Sequence, residues 1–502
     1  MTAENVSDGP SYELDPKPSR GLALDLSLSR LLGVGGGLIG AIVALLVTRQ
    51  VLIAVVPAAV GAAWAWMPIH GRPAAEQLPV IAGHAGRRAG GASEWVAPVA
   101  PATAELSPDV TIVPARPAHR KGDVARGETI DWPAELGGRM SMTSVGSGVD
   151  EVALLLERRG RRRSFTALVS ADAPGWALAD PEERDRRVAG WAAVLAGLAR
   201  NQSVPTRLQM VESLRPDPGV EQADWIAAHA ALADPVELAG YRRMVVDGAG
   251  AALTHQVTLA LRVPTRRMDA SAAELVTREV AMLTDGLRVA GISAAPLSPE
   301  GAARRIRQAL TPDPRLDSRA VDPASSGPAA RQERYSAVRV DGWWHTVAWI
   351  QTWPGQQLSA GWMLPFLTAL PGGAARSISV HMEALPPAAA ARSARQQQMS
   401  SRIDTQQRRR WGFVESEAGK LKGQRIDQRA REVAEGAAML RYVGLVDLAA
   451  PTREELEVAV AALAQYTARS GMTVTRLYGQ QHRGLAACVP IGRLDFARGW
   501  QA

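Results

Sequence analysis

At 502 residues the chain exceeds the usual domain size of about 100–200 residues, so two or three domains are expected. Its one cysteine, Cys488, excludes an intramolecular disulfide and a thiolate zinc site, and its eight histidines form no His-Glu-x-x-His pair. The net charge of +7 rests almost wholly on arginine, with lysine only at Lys17, Lys121, Lys420 and Lys422, and reads as a solvated surface beside an anionic membrane rather than a nucleic-acid face.

After a polar tail (1–30), charged and strongly polar residues vanish from Leu31 to Val47 and again from Val51 to Met67, with only Thr48, Arg49 and Gln50 between. Each run of about 17 residues is just long enough to span a hydrocarbon core of about 30 Å, so a transmembrane helical hairpin is predicted over 31–68. Polar residues before the first run, and a second run directly after it, argue against a cleaved signal peptide. Lys17, Arg20 and Arg30 precede the hairpin, Arg72, Arg87 and Arg88 follow it, and Arg49 stands alone in the turn, which predicts a plasma-membrane protein with both termini cytoplasmic. Trp64 and Trp66 suit the headgroup layer, and Pro57 predicts a mild kink. Gly35, Gly37 and Gly40 have the spacing of a dinucleotide-binding loop, yet no strand precedes them. The same stretch contains Gly33-x-x-x-Gly37 and Gly36-x-x-x-Gly40, so Gly33, Gly36, Gly37 and Gly40 are read as a helix-packing face within lipid.

Residues 69–149, rich in Pro, Gly and Ala, read as a flexible tether with short strands near Thr129–Trp132. An α/β pattern starts near residue 150, with strands at Val152–Leu156 and Phe165–Val169 and an amphipathic helix at Pro181–Arg200. A matching pattern starts near Tyr335. Glu212-Ser213-Leu214-x-Pro216 aligns with Glu383-Ala384-Leu385-x-Pro387, and Leu261-x-x-Pro264-Thr265-Arg266 with Leu448-x-x-Pro451-Thr452-Arg453. The expected fold is α/β (α+β). It comprises the transmembrane hairpin and a duplicated, ferredoxin-like cytoplasmic body, with modules at 150–310 and 333–502, a proline-punctuated linker at 311–332 and long helices at about 387–438 in the second copy.

Motifs for catalysis are missing. Gly419-Lys420 lacks the rest of a phosphate loop, Gly146-Ser147-Gly148 has the wrong spacing for a nucleophile elbow, and Glu454 with Glu455 reads as the acidic first turn of a helix capped by Thr452. No catalytic, cofactor-binding or metal residue is assigned, and the chain is not expected to be an enzyme. Arg158–Arg163 reads as a solvated hairpin turn, with anionic lipid and nucleic acid as alternatives. Arg392, Arg395, Arg402, Arg408, Arg409 and Arg410 recur along one long helix, as a candidate contact for an acidic partner or an exposed arm. The uncharged stretch Thr346–Ala375, with Trp349, Trp353 and Trp362, reads mainly as buried strand and helix.

Several strings resemble an actinobacterial family of integral membrane proteins from conjugation or type IV secretion-like gene clusters: Ser19-Arg20-Gly21, Gly71-Arg72, Glu76-x-Leu78-Pro79-Val80, Trp349-Ile350-x-x-Trp353-Pro354, Arg441-Tyr442-x-Gly444-Leu445, Ala450-Pro451-Thr452 and Leu477-x-Gly479-Gln480-Gln481. The body is also similar in layout to the non-hydrolytic amino-terminal domain of conjugation ATPases, with a weaker likeness to the E component of type VII secretion. The resemblance implies a structural membrane subunit in an oligomeric complex. Its implied partners are the lipid bilayer, a small membrane subunit and a separate secretion ATPase, with nucleic acid less favoured.

Overall fold

The computed structural model describes residues 27–97, 128–130, 132–133, 140–148, 151–172, 179–200, 207–217, 219–229, 234–248, 252–316, 320–354, 363, 370, 373–410, 417–435 and 438–494. Lys17, Arg20, Lys121, Trp362, the string Ser19-Arg20-Gly21 and residues 98–127 of the tether lie outside them.

Two apolar helices, α1 (Leu28–Thr48) and α2 (Val51–Trp66), pack against each other across the turn at Arg49 and Gln50. By length and composition α1 is able to cross a membrane, and none of its residues is buried; α2 is shorter. The chain then turns through β1 (Pro68–Ile69) and β2 (Arg72–Pro73), where His70 and Gly71 both have positive φ, at 51° and 77°, as a two-residue hairpin turn requires.

The next stretch differs from the tether reading. Helix α3 (Ala74–Ala89) buries Ala74, Ala75, Gln77 and His84, and β3 (Glu94–Val96) pairs with residues 330–332 at the edge of the main sheet. The cause is long-range packing onto residues about 240 positions away, which overrides a local composition rich in Gly and Ala and a proline at position 79.

Beyond the undescribed part come β4 (Glu128–Ile130), β5 (Met140–Val145), β6 (Val152–Arg159) and β7 (Arg162–Asp172), so the basic run Arg158–Arg163 closes a β-hairpin at Gly160 (φ 59°). Helix α4 (Pro181–Arg200), β8 (Arg207–Pro216), the helix pair α5 (Val220–His229) and α6 (Pro235–Gly248), β9 (Leu253–Thr265), α7 (Ala270–Val289), β10 (Ser293–Pro296) and α8 (Pro299–Leu310) follow. Two short strands, β11 (Ala330–Glu333) and β12 (Val338–Val340), lead into β13 (Trp343–Thr352), β14 (Ala375–Ala384), the long pair α9 (Pro387–Arg410) and α10 (Glu417–Ala434), β15 (Leu440–Ala450), α11 (Arg453–Arg469), β16 (Thr473–Arg476) and α12 (Gln481–Cys488). Thr452 and Glu455 form a full capping box at the start of α11.

The strands build one antiparallel sheet of 14, ordered β3-β11-β12-β13-β15-β14-β8-β9-β7-β6-β5-β4, with β10 beside β7 and β16 beside β13. Two groups within it share one order: β10-β7-β9-β8 and β16-β13-β15-β14. They join through equivalent strands, β8 and β14, which run antiparallel in register from Arg207 opposite Glu383 to Leu214 opposite Arg376. A local two-fold relation between the groups follows from that pairing. The α5–α6 arm leaves the sheet at the Pro216 end of β8, and the α9–α10 arm leaves it at the Ala384 end of β14, so the arms spring from opposite ends.

Alternation along the central strands feeds both faces. On one face, Phe165, Ala167 and Val169 of β7 meet Val276, Val280, Leu283 and Leu287 of α7, and Val446 and Leu448 of β15 meet Leu456, Ala459 and Leu463 of α11. On the other, Leu168 of β7 and Leu445 of β15 join α8 and α12. Ile130 and Met140 from one end of the sheet and Val338 and Val340 from the other belong to this same core, so both ends curl toward α8 and α12.

Candidate functional site at the junction of the helix pair and the sheet

Helix α3 begins with Glu76 in its first turn and ends with Arg87 and Arg88, charges that complement its dipole. Gln77, His84 and Arg87 fall seven and three residues apart, on one helix face. That face meets the β11–β12 turn and the loop between β16 and α12. Arg87 donates from Nε and Nη2 to the two carboxylate oxygens of Glu333, at 3.3 and 3.0 Å, and from Nη2 to the Gly479 carbonyl oxygen at 2.6 Å. His482 Nδ1 lies 2.7 Å from Glu333 Oε1, His84 Nδ1 lies 3.5 Å from the same oxygen, and Gln77 Nε2 donates to the Tyr335 hydroxyl at 3.2 Å. Gly479 (φ 73°) sits close under the helix, where a Cβ would stand 3.1 Å from Val80 Cγ1 and 3.2 Å from Tyr335 Cε2. Two of the strings quoted for the family resemblance, around Glu76–Val80 and Leu477–Gln481, thus touch here. Arg72 lies over the Trp349 ring at 5.3 Å, and His70 and Tyr478 pack ring to ring at 4.4 Å.

The Glu333 side chain is fully buried. Burial alone pushes its carboxyl up, and the hydrogen bonds and charges of His482 and Arg87 outweigh this, so its pKa is lowered to about 2. Burial pushes the His482 imidazole down. Glu333 is thus a carboxylate held by Arg87 and hydrogen-bonded by the His482 ring. Both oxygens are engaged, and a carboxylate this acidic is a poor general base at neutral pH. A cavity of about 350 Å³ opens beside the cluster, lined by His84, Arg88, Ser93, Glu94, Gln332 and Tyr335. The arrangement holds an ion pair and locks two elements together. Among the described residues no group of three His, Cys, Asp or Glu side chains is placed to hold a metal ion.

A second polar cluster fastens the two strand groups together. Gln209 of β8, fully buried, donates from Nε2 to Ser379 Oγ and to the Ala487 and Val489 carbonyl oxygens at 3.0, 3.0 and 2.9 Å, while its Oε1 accepts from Gly492 N at 2.6 Å. Ser379 and His381 of β14 also reach the Ala487 carbonyl, at 2.9 and 2.8 Å. Cys488 lies in the same strap, its thiol pushed well up by burial and by Asp447, which leaves it protonated and unreactive.

The residues singled out from sequence fall in two places, the helix pair and α9. In the helix pair, a Cβ on Gly37 would stand 2.8 Å from Gly61 Cα and from the Pro57 carbonyl oxygen, one on Gly33 would meet the Trp64 ring, and one on Gly40 would stand 3.1 Å from Pro57 Cβ. Gly36 and Gly35 have nothing within 4 Å. The close seam is therefore Gly33, Gly37 and Gly40 against Gly61 and Pro57, inside the hairpin. Trp64 is half-buried and donates from Nε1 to the Ser29 carbonyl oxygen at 3.3 Å, whereas Trp66 is exposed. On α9, Arg392, Arg395, Arg402 and Arg410 are exposed; Arg408 and Arg409 belong to the helix, but their side chains lie outside the description.

Glu333, His482 and Gln209 escaped the sequence reading because each is a lone polar residue whose partners are far away in the chain. The one available signal was that Gly479 and the residues before His482 stand in a recognisable string. No family model matches the chain, and no curated protein matches it.

Proposed function

We propose that the chain is a structural membrane subunit of a conjugation or type IV secretion-like export machine, a scaffold on which a separate ATPase docks. In this reading α1 and α2 are two membrane spans with both termini cytoplasmic, each four-strand group is a ferredoxin-like module, and the pair arose by duplication. The observation that carries the reading is the Arg87–Glu333–His482 joint. It ties α3, which follows the apolar helix pair after the short β1–β2 hairpin, to a large sheet by charge-assisted hydrogen bonds, so force or position at the bilayer passes to the body. A tethered enzyme has no need of such a joint; a scaffold does. The missing phosphate loop accords with an ATPase supplied by another chain.

The test is purification of the tagged chain from its native membrane in mild detergent, followed by identification of what accompanies it. The scaffold reading predicts a phosphate-loop ATPase and a small membrane protein in amounts comparable with the tagged chain. Recovery of the chain with neither would overturn it.

A further inference from the structure

The two helical arms leave equivalent places in the two halves, yet their surfaces are opposite in charge. Residues 217–248 carry six carboxylates, at Asp217, Glu221, Asp224, Asp234, Glu237 and Asp247, against Arg242 and Arg243 alone. Residues 387–434 carry eleven arginine and lysine residues against five carboxylates, a surplus of six that nearly equals the +7 of the whole chain.

Each arm also leaves apolar side chains uncovered among these charges. On α6, Val236, Glu237, Met244 and Asp247 share one face, and Val236 is 80 % exposed. On α9, Arg392, Arg395, Met399 and Ile403 share one face, and Met399 is 68 % exposed. The arms are finished at their roots: Leu385, Ala390, Ala394 and Met439 form a small core under α9–α10, and Trp225 stacks on His229 and meets Tyr241 edge-on in α5–α6. What remains open is an arginine-flanked apolar face on one arm and a carboxylate-flanked apolar face on the other. Their roots lie at opposite ends of the ten-residue β8–β14 pair, about 33 Å apart at the usual rise per residue.

We infer that the α9–α10 arm of one molecule docks on the α5–α6 arm of a second molecule of this same chain. The occupant is named by charge complementarity: the basic face needs an acidic partner with apolar centres, and the chain presents one at its other end. Because the two surfaces differ, the contact either repeats head-to-tail, as a closed ring or an open row, or is made twice in a reciprocal two-fold pair. This stands whether or not an ATPase docks on the body, so its failure and that of the scaffold reading are separately visible.

The experiment uses the full chain in lipid nanodiscs or detergent and reads sedimentation. One variant reverses the basic face (Arg392→Glu, Arg395→Glu and Arg402→Glu); another reverses the acidic face (Asp224→Lys, Glu237→Lys and Asp247→Lys). All six positions are exposed on helices, and Arg→Gln versions of the first set serve as a milder second probe that loses charge without reversing it. The wild type is expected to sediment as a multimer at about 0.1 M salt, each reversal to shift it to monomer, the Gln set to weaken it, and an equal mixture of the two reversed chains to associate again. A monomeric wild type, including one that instead binds DNA or anionic vesicles through α9, would overturn the inference. So would a multimer that survives both reversals.

Discussion

Gln209 and His381 face each other across the β8–β14 pair and both bind the carbonyl oxygen of Ala487, at 3.0 and 2.8 Å. The union of the two halves therefore depends on a third element, the strap from α12 to Gly492, laid across the seam. A sheet joined only through two edge strands is able to slip or peel; buried hydrogen bonds of fixed geometry from both strands to one strap set the register.

Replacing Gln209 by leucine strips the Gly492 N–H of its partner inside the protein, while the Val489 carbonyl keeps the Ile491 N–H at 2.8 Å. The loss is expected to destabilise the fold by about 1–3 kcal/mol, as one orphaned buried group does. Two readouts check it: a lower thermal unfolding midpoint, and cleavage by trypsin after Arg493, which is buried in the parent chain and becomes accessible when the strap lifts.

Acid should weaken the seam first. Burial holds the His381 imidazole down to about 3, so between about pH 6.5 and 3 the unfolded chain takes up a proton there that the folded chain refuses. Stability then rises with pH through this window and is complete above about pH 6.5; His482, also pushed down by burial, acts in the same direction. Glu333 joins only further down. Its carboxyl, at about 2 in the fold, contributes above about pH 4.5 and is lost as pH falls toward 2. Unfolding midpoints of the parent chain and of His381→Gln, measured from pH 8 to about 4, should run parallel above about pH 6.5 and differ in slope below it, with the variant showing the shallower dependence.

Glu333→Gln leaves the part-buried Arg87 beside a neutral amide, a change expected to cost about 1.5–3 kcal/mol, the worth of a hydrogen bond to a charged group. Hydrogen exchange should rise in α3 and β3, where the joint is made, and stay slow in β8, β9, β14 and β15. Equal acceleration throughout the sheet would mean that the joint is part of the global fold rather than a local lock.

Within the hairpin the glycines should separate cleanly. Gly37→Val forces a branched side chain against Gly61 and Pro57 and is expected to cost about 1–3 kcal/mol and lower the amount of chain retained in membranes; Gly36→Val, facing open space, should be accepted. Membrane yield and protease resistance of the two variants side by side provide the check.

Local pattern carried much of the fold. The helix at 181–200 and the strands flanking Arg158–Arg163 were legible because periodicity acts on neighbours in sequence. The matched strings of the sequence overlap β8 and the end of β14, and β9 and β15, strands that hold corresponding places in the sheet order. What stayed hidden was everything made by distant pairs. Helix α3 looked like tether because its stabilising partners Glu333 and Gly479 lie 246 and 392 residues beyond Arg87. The glycines of α1 gave a packing face, but only the position of α2 decides that Gly33 and Gly37 lie in the seam while Gly36 does not.

In the proposed arrangement the helix pair forms two membrane spans that hold the sheet on the cytoplasmic side. Site-directed labelling with a membrane-impermeant maleimide in intact cells tests this directly, since Cys488, the single cysteine, is buried and Gln50 and Asp224 are exposed. Gln50→Cys, in the turn between α1 and α2, should label in intact cells, and Asp224→Cys, on the α5–α6 arm, only after the membrane is permeabilised. Labelling of Asp224→Cys from outside, or release of the chain from membranes by carbonate, would contradict it.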